Sequence, residues 1–340
     1  MVELRSPEDV ASRLTDAKTR SGEGAPPTVE PIEPVEPDEP DEPSPGPVQP
    51  TKFVTTSTVV DNLIGFISNP TERWYLGLPE LDLATRGVGR GEVLMVVGKS
   101  HTGKSQVLLN GIIWNLVNHA DAHVVIFSMD EPRELVTMKL YCLLRGRSST
   151  DVEEAIKQHD TAVLADLELA AAQELSRVAI VDDSMTLDGM AIAMDEARAW
   201  WGREPNFCMI DYLELLPGGD ADASGVTTKA QNVKRWAKNQ RVPVALVHQS
   251  GRGSGEPGKA AGMYAGRYGG EQEAIFIMEI YRKRDKHGLS GWETQYHENS
   301  ININLCKNKR TARTLDMCYY LDPTAGHIHT YYDELAPDNG

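Results

Sequence analysis

Short apolar runs alternate along this chain with longer segments in which apolar residues recur at helical spacing. The runs of strand length are residues 93–97, 123–127, 178–181, 207–210 and 242–247. The segments with helical periodicity are residues 107–117, 133–144, 151–175, 186–201 and 227–240. Strands that alternate with helices predict an α/β fold, in which a mainly parallel sheet is covered by helices on both faces.

The C-terminal part shows a different pattern, because its apolar segments follow one another without helical segments between them. These segments are residues 274–281, 301–306 and 315–321. Consecutive strands of this kind are typical of antiparallel pairing. We therefore expect them to extend the parallel sheet as antiparallel edge strands.

The first 50 residues are dominated by proline and glutamate. They carry twelve acidic and four basic residues, and so supply −8 of the net charge of −16. Such a segment cannot bury enough apolar surface to offset its ordering entropy, and its charges repel one another. The pattern predicts a disordered acidic arm over residues 1–50.

A linker is predicted between this arm and the folded domain, over residues 51–72. Apolar positions between residues 53 and 68 suit one amphipathic helix. That helix would either pack on its own domain or reach a neighbouring subunit. The folded domain itself is predicted over residues 73–325, followed by a C-terminal tail over residues 326–340.

The composition narrows the class of protein. No apolar run approaches the roughly 20 residues of a membrane span, and the N-terminus has no basic-then-apolar leader. Cys142, Cys208, Cys306 and Cys318 form no C-x-x-C pair, so we interpret them as buried thiols of a cytoplasmic protein. The acidic net charge argues against a generic nucleic-acid binder, but half of it lies in the arm and says little about the rest of the surface.

The strongest chemical motif is a glycine-rich stretch between the run at 93–97 and the helical segment after it. Its residues are Gly98, Lys99, Ser100, His101, Thr102, Gly103, Lys104 and Ser105. They fit G-x-x-x-x-G-K-[ST] at every fixed position, and strand, loop and helix follow in the order that a phosphate cradle requires. A chance match in a glycine-rich turn is the alternative. The motif predicts ATP binding, with Lys104 at the β and γ phosphates and Ser105 as a Mg²⁺ ligand.

Polar residues follow the other apolar runs, at what should be one edge of the sheet. The carboxyl edge is where open α/β sheets bind ligands. Asp211 suits a second Mg²⁺ contact held through water, on a strand expected next to the P-loop strand. Gln249 ends the next core strand and is positioned to hydrogen-bond the γ-phosphate.

Asp130 and Glu131 follow the run at 123–127, which we expect beside the P-loop strand. Hydrolysis of ATP needs a residue that orients the attacking water, and either carboxylate could serve. The residue chemistry does not separate the two. The alternative is that both are solvated acids at a helix start, where they favour the helix dipole.

Two further segments carry basic residues. Residues 251–270 contain eight glycines together with Arg252, Lys259 and Arg267, a composition that suits the backbone of single-stranded DNA. A surface loop without function is the alternative. The run at 307–310, which contains Lys307, Lys309 and Arg310, would either form a solvated face or offer a cation to the γ-phosphate on a neighbouring subunit.

Taken together and in order, these segments resemble the ATPase domain of the bacterial DnaB replicative helicases, within the RecA-like superfamily of P-loop NTPases. The matching segments are 77–82 with "tGf..LD", 127–132 with "FSLEMP", 210–215 with "IDYLQL", 234–244 with "LKxLAKxxxVPV", 248–250 with "SQL", 271–274 with "EQDAD" and 307–309 with "KNR". The resemblance covers residues 73–322. It implies a RecA-like fold and a ring, expected to be a hexamer, that translocates on single-stranded DNA with ATP and Mg²⁺ and unwinds duplex during replication.

The resemblance also assigns residues and shows departures. It puts Asp130 at the position of the catalytic glutamate, although the paired acids resemble KaiC-like relatives and leave Glu131 as a candidate. Lys309 stands at the finger arginine, with Arg310 one residue on. An acidic arm replaces the helical primase-binding domain, which indicates a phage or plasmid version with its own primase or loader contacts. A RecA- or RadA-like recombination ATPase and a KaiC-like regulatory ATPase that acts through protein partners are the alternative functions.

Overall fold

The computed structural model describes residues 56–68, 72–218, 223–249, 270–282, 284–285, 295–296 and 299–330. The predicted arm at 1–50 and the segment 251–269 lie outside these ranges. Within the described part of the chain, no helix is both long enough and apolar enough to cross a bilayer. Of the four thiols, all of which are free, Cys142 and Cys208 are buried and Cys306 is half-buried. Cys318 is exposed, which corrects the expectation of burial for that residue.

The helices and strands follow the predicted alternation. The helices are α1 Thr56–Ser68, α2 Pro79–Thr85, α3 Lys104–Asn118, α4 Arg133–Arg145, α5 Ser149–Lys157, α6 Thr161–Ala172, α7 Leu187–Trp201 and α8 Ala223–Gln240. The strands are β1 Arg73–Trp74, β2 Val88–Gly89, β3 Val93–Gly98, β4 Val124–Ser128, β5 Val178–Val181, β6 Phe207–Asp211, β7 Val244–Gln249, β8 Phe276–Tyr281, β9 Arg284–Asp285, β10 Gln295–Tyr296, β11 Ser300–Asn308, β12 Leu315–Leu321 and β13 Ile328–His329. Short 3-10 helices occur at Glu174–Arg177, Leu213–Leu215 and Glu271–Glu273.

One predicted helical segment, residues 151–175, is divided in the structure. Helix α5 ends before His159, whose φ of 55° is left-handed. The Asp160 carboxylate then accepts the N–H groups of Ala162 (2.9 Å) and Val163 (3.2 Å), which is the usual way an aspartate begins a new helix. The apolar periodicity is continuous across this break, so the periodicity alone could not reveal it.

A nine-stranded mixed sheet forms the centre of the described domain, in the order β13-β12-β11-β8-β3-β7-β6-β4-β5. Strands β8, β3, β7, β6, β4 and β5 run parallel to one another, whereas β11 pairs antiparallel with β8 and β12, and β13 pairs antiparallel with β12. The predicted fold class is confirmed. As expected, the C-terminal strands extend the sheet with antiparallel pairing. Strand β8 joins the two parts, because it runs parallel to β3 on one side and antiparallel to β11 on the other.

The strand order also corrects two sequence-based placements. The neighbours of β3 are β7 and β8, so β6, which ends in Asp211, is one strand further away. Strand β4, which precedes Asp130 and Glu131, is separated from β3 by both β7 and β6. Strand β13, at the edge of the sheet, lies beyond residue 325 and pairs with β12.

The centre of the sheet is buried on both faces, which explains the unbroken apolar runs there. All six residues of β3 are buried, and the side chains from Val93 to Val97 alternate between the two cores. Leu94 and Val96 pack with α3 and α4, while Val93 and Met95 pack with α7 and α8. A strand buried on both faces must be apolar at every position, so alternation of apolar and polar residues is not expected.

The turn between β1 and α2 is held by Asp82, which lies in the first turn of α2. Its carboxylate accepts the backbone N–H groups of Leu76 (2.8 Å), Gly77 (2.8 Å) and Leu78 (3.1 Å). Burial raises the pKa of Asp82 to about 6, although these three hydrogen bonds act in the opposite direction. Asp82 therefore fixes the turn that leads from β1 into α2.

Replacing Asp82 by alanine should destabilise the domain, because three N–H groups lose their common acceptor. We expect a loss of about 3 kcal/mol in the free energy of unfolding, measured by chemical denaturation at neutral pH. Asp82→Asn keeps one acceptor oxygen and should lose less. Equal stability of Asp82→Ala and the unchanged protein would contradict this role.

The raised pKa gives the same residue a pH signature. The folded protein holds a proton on Asp82 more tightly than the unfolded chain does, so this contribution to stability is complete below about pH 4 and is lost as the pH rises through about 6. Asp82→Asn should lack this component when unfolding is compared across that range.

Candidate active site

The parallel strands bring their carboxyl ends to one edge of the sheet, and a cavity of about 600 Å³ lies there. Its lining residues are Ser100, His101, Gly103, Lys104, Ser105, Gln106, Asp130, Glu131, Lys139, Asp211, Tyr212 and Gln249. The structure thus brings together side chains from the P-loop and from the ends of β4, β6 and β7. The basic residues of the run at 307–310 do not line this cavity.

The loop from Gly98 to Lys104 has the close contacts that require glycine. A Cβ on Gly98 would lie 2.5 Å from the Ile280 carbonyl oxygen, and Gly103 has a φ of +96°. Gly103 also begins α3 without a side-chain cap, so the first N–H groups of that helix have no side-chain acceptor. Free N–H groups at a helix start, next to a lysine, form a binding site for phosphate.

Lys104 bends back over this loop. Its Nζ donates to the carbonyl oxygens of Gly98 (3.0 Å) and Lys99 (2.9 Å). Burial lowers the pKa of Lys104, while the negative charges of Asp211, Glu214 and Asp130 raise it. The ammonium group is therefore a partly desolvated cation at the mouth of the phosphate cradle, where its charge acts most strongly on an anion.

Ser105 and Asp211 meet across β7. The Ser105 hydroxyl donates to Oδ2 of Asp211. Burial raises the pKa of Asp211; the Ser105 hydrogen bond and Lys104 oppose that shift, and Glu131 and Asp130 add to it. One hydroxyl and one carboxylate match Mg²⁺, which prefers oxygen ligands and usually takes the rest from phosphate and water.

No group of three or more His, Cys, Asp or Glu residues in the described ranges could hold a metal ion by itself.

Asp130 and Glu131 differ in their partners. Both carboxylate oxygens of Glu131 contact Nζ of Lys139 on α4, the longer contact being 2.6 Å. Asp130 is exposed, and its carboxylate has no hydrogen-bond partner among the residues that the structure describes. The structure therefore leaves Asp130 available to a water molecule, while Glu131 is already paired.

Lys139 lines the cavity but was not predicted as a site residue from the sequence. The only signal was a basic residue eight positions after Glu131, on the helix that follows it. A helix that starts just after an acidic pair can return such a residue to the same cavity.

Gln249, at the end of β7, lies against the P-loop. Its backbone is in register with Gly98 of β3, and its side-chain Nε2 donates to Oγ of Ser100. The amide therefore sits where the phosphate cradle begins.

Arg310 occupies a different place from the predicted one. Its Nη1 donates to the carbonyl oxygen of Thr85 (2.7 Å), its Nη2 pairs with Glu92, and its guanidinium lies 5.2 Å from the ring centroid of Phe276. The side chain is only 17% exposed. Arg310 is thus part of the packing of its own domain, which argues against it as a cation for a neighbouring subunit.

Lys307, near the end of β11, lies close to Lys309, which directly follows that strand. The Nζ of each donates to the carbonyl oxygen of Gln272, at 3.1 Å. Both lie outside the cavity of their own chain. Arg252, Lys259 and Arg267, the predicted DNA contacts, lie outside the described residues.

The sequence model of the DnaB-like helicase C-terminal domain family matches residues 75–320. The chain belongs to this family. The predicted resemblance is therefore confirmed.

Similar proteins include the replicative DNA helicase DnaC of Bacillus subtilis (strain 168), with 27% identity over 219 residues, or 61% of this chain and 46% of that protein. Another is the replicative DNA helicase DnaB of Geobacillus stearothermophilus, with 24% identity over 182 residues, or 52% of this chain and 39% of that protein. The chain thus spans less than half the length of these relatives.

Two solved structures have the same fold. The ATPase domain of G40P gives a TM-score of 0.65 at 18% identity, over 81% of this chain and 98% of that one. A DnaB-like replicative helicase, described with its interactions with primase, gives a TM-score of 0.63 at 18% identity, over 81% of this chain and 68% of that one. These matches confirm the RecA-like ATPase fold that the sequence predicted.

Proposed function

We propose that this chain is the ATP-hydrolysing motor of a DNA helicase that moves along single-stranded DNA during replication. One observation carries the proposal: a P-loop lysine, a serine–aspartate pair, an unpaired carboxylate and an amide from four parts of the chain line one cavity. This set suits phosphoryl transfer, in which the protein mainly positions the groups and stabilises charge. Family membership supplies the link to DNA unwinding.

In the proposed reaction, the loop N–H groups and Lys104 hold the triphosphate. Ser105 and Asp211 would hold Mg²⁺, which neutralises charge on the β and γ phosphates when bound. Asp130 orients the attacking water toward the γ-phosphate and accepts its proton. Gln249 hydrogen-bonds the γ-phosphate from the neighbouring strand.

The proposed active unit is a homo-oligomer, expected to be a hexameric ring. The described apolar side chains of α1 are exposed in the single chain: Val59, Val60, Leu63, Ile64 and Ile67. This supports the alternative in which the linker helix packs on a neighbouring subunit. Lys307 and Lys309 are the candidate cations for the neighbour's γ-phosphate.

DNA is proposed to contact Arg252, Lys259 and Arg267, in the segment that follows Gln249. A primase or loader protein is a further proposed partner, because one similar structure is described with primase.

A strand-displacement assay tests the proposed function. We expect the purified protein to release a labelled strand from a forked duplex only with ATP and Mg²⁺, and single-stranded DNA to stimulate its ATPase. Lys104→Ala should show neither activity. ATP hydrolysis that DNA does not stimulate, without strand release, would instead favour a regulatory ATPase, and filaments on DNA in electron micrographs would favour a recombination ATPase.

A further inference from the structure

A half-buried carboxylate, that of Glu214, connects the end of β6 to the end of β7. It lies in the 3-10 turn Leu213–Leu215, three residues after Asp211. Its Oε1 accepts the backbone N–H of Gln249 (2.9 Å) and lies 2.9 Å from Nδ1 of His248. Because a carboxylate only accepts hydrogen bonds, this contact places the proton of the His248 ring on Nδ1.

The contact between Glu214 and His248 is held in place by the surrounding structure. The His248 side chain is fully buried, and the Glu214 side chain is 16% exposed. The turn that carries Glu214 is itself held by Lys229 on α8, whose Nζ donates to the Glu214 carbonyl oxygen (3.0 Å). The backbone of the turn is thus held by α8, while the carboxylate itself contacts the end of β7.

Stability alone does not explain the pair. Nε2 of His248 and Oε2 of Glu214 are both buried, and neither has a hydrogen-bond partner among the described residues. A buried polar atom without a partner is costly, and two apolar side chains of similar size would avoid that cost. The hydrogen bond from the backbone N–H of Gln249 to Glu214 is therefore the contact that a functional role can explain.

The residue that Glu214 holds by this hydrogen bond, Gln249, is also the one whose side chain contacts the P-loop. Gln249 donates from Nε2 to Ser100 Oγ, and its backbone is in register with Gly98. The Glu214 carboxylate also raises the pKa of Lys104. We propose that Glu214 is a positioning residue, which holds Gln249 toward the γ-phosphate and ties that amide to the turn after the Mg²⁺ ligand Asp211. This inference rests on the proposed ATPase function.

Two conservative variants separate the effect of the length of the Glu214 side chain from the effect of its charge. Glu214→Gln keeps the length of the side chain and an acceptor oxygen for the Gln249 N–H, but removes the charge. Glu214→Asp keeps the charge but withdraws the acceptor by one methylene. If the hydrogen bond to the backbone matters, Glu214→Asp should lower kcat by about tenfold, within the ~10²-fold that a misplacement of about 1 Å can cost. Glu214→Gln should stay within about threefold of the unchanged protein, and KM for ATP should change little in both.

A double-mutant cycle shows whether Glu214 acts through Gln249. We expect Glu214→Asp in a Gln249→Ala background to cause no further loss, because the amide that it positions is gone. A residue that only stabilises the fold would lower kcat by the same factor in both backgrounds, and would also lower the melting temperature.

The outcomes divide cleanly. Three results would overturn the positioning role while leaving the ATPase proposal standing. They are normal activity of Glu214→Asp, a greater loss of kcat in Glu214→Gln than in Glu214→Asp, and losses of kcat that multiply when Glu214→Asp is combined with Gln249→Ala. Absence of ATP hydrolysis in the unchanged protein would overturn both, and that result is visible before any variant is measured.

Discussion

Replacing Lys104 by alanine should abolish ATP hydrolysis while leaving the domain folded. The Nζ of this residue is the partly desolvated cation of the phosphate cradle, and its only described hydrogen bonds are to two loop carbonyls. Those bonds are dispensable for the fold, whereas charge stabilisation in a site shielded from water contributes strongly to the transition state. We expect kcat to fall by at least about 10³-fold, measured by steady-state phosphate release.

Lys99 offers the matched control for this prediction. It lies in the same loop and carries the same charge, but its side chain is exposed and does not line the cavity. Lys99→Ala should therefore hydrolyse ATP at nearly the normal rate, with an unchanged melting temperature. If Lys104→Ala is folded and still hydrolyses ATP, the phosphate site has been assigned to the wrong residues.

Replacing Asp130 by asparagine should give a protein that binds ATP but hydrolyses it slowly. Asp130 lines the same cavity as Lys104 and Asp211, and its negative charge raises the pKa of both residues. Asparagine keeps the size of the side chain and loses the ability to accept a proton. A positioned general base contributes about 10²–10⁴-fold, so kcat should fall within that range.

Glu131→Gln is the informative comparison, because the sequence left both acids as candidates. Glu131 is already paired with Lys139, so its loss should disturb the wall of the cavity and lower kcat much less. Single-turnover hydrolysis with ATP already bound would compare the two variants at the chemical step. A larger defect in Glu131→Gln than in Asp130→Asn would reverse the assignment.

The features that the sequence predicted are those with a local signature. The strand–loop–helix around Lys104 is recognised from eight consecutive residues, and the apolar runs of β3 to β7 reflect burial on both faces. Family membership followed from several weak motifs in the right order. None of these inferences required knowing which strands lie side by side.

The features that the sequence did not predict depend on contacts between distant residues. Strand order cannot be deduced from apolar runs, and so β4 was expected beside β3 although two strands separate them. Arg310 belongs to a basic run that looks the same whether it faces solvent or donates to Thr85, 225 residues earlier. The Glu131–Lys139 and Glu214–His248 pairs likewise became visible only when the backbone brought their elements together.

The central position of β3 has a consequence for the order in which the sheet can assemble during synthesis. Both neighbours of β3 are encoded far downstream, and the nearer one, β7, begins 151 residues after Val93. At about 10 residues per second, a ribosome needs roughly 15 s to add them. During that time β4, β5 and β6 can already pair with one another, but β3 has no strand on either side. The nucleotide site is therefore completed late in synthesis, and a chain that ends before β7 lacks both of the strands that flank β3.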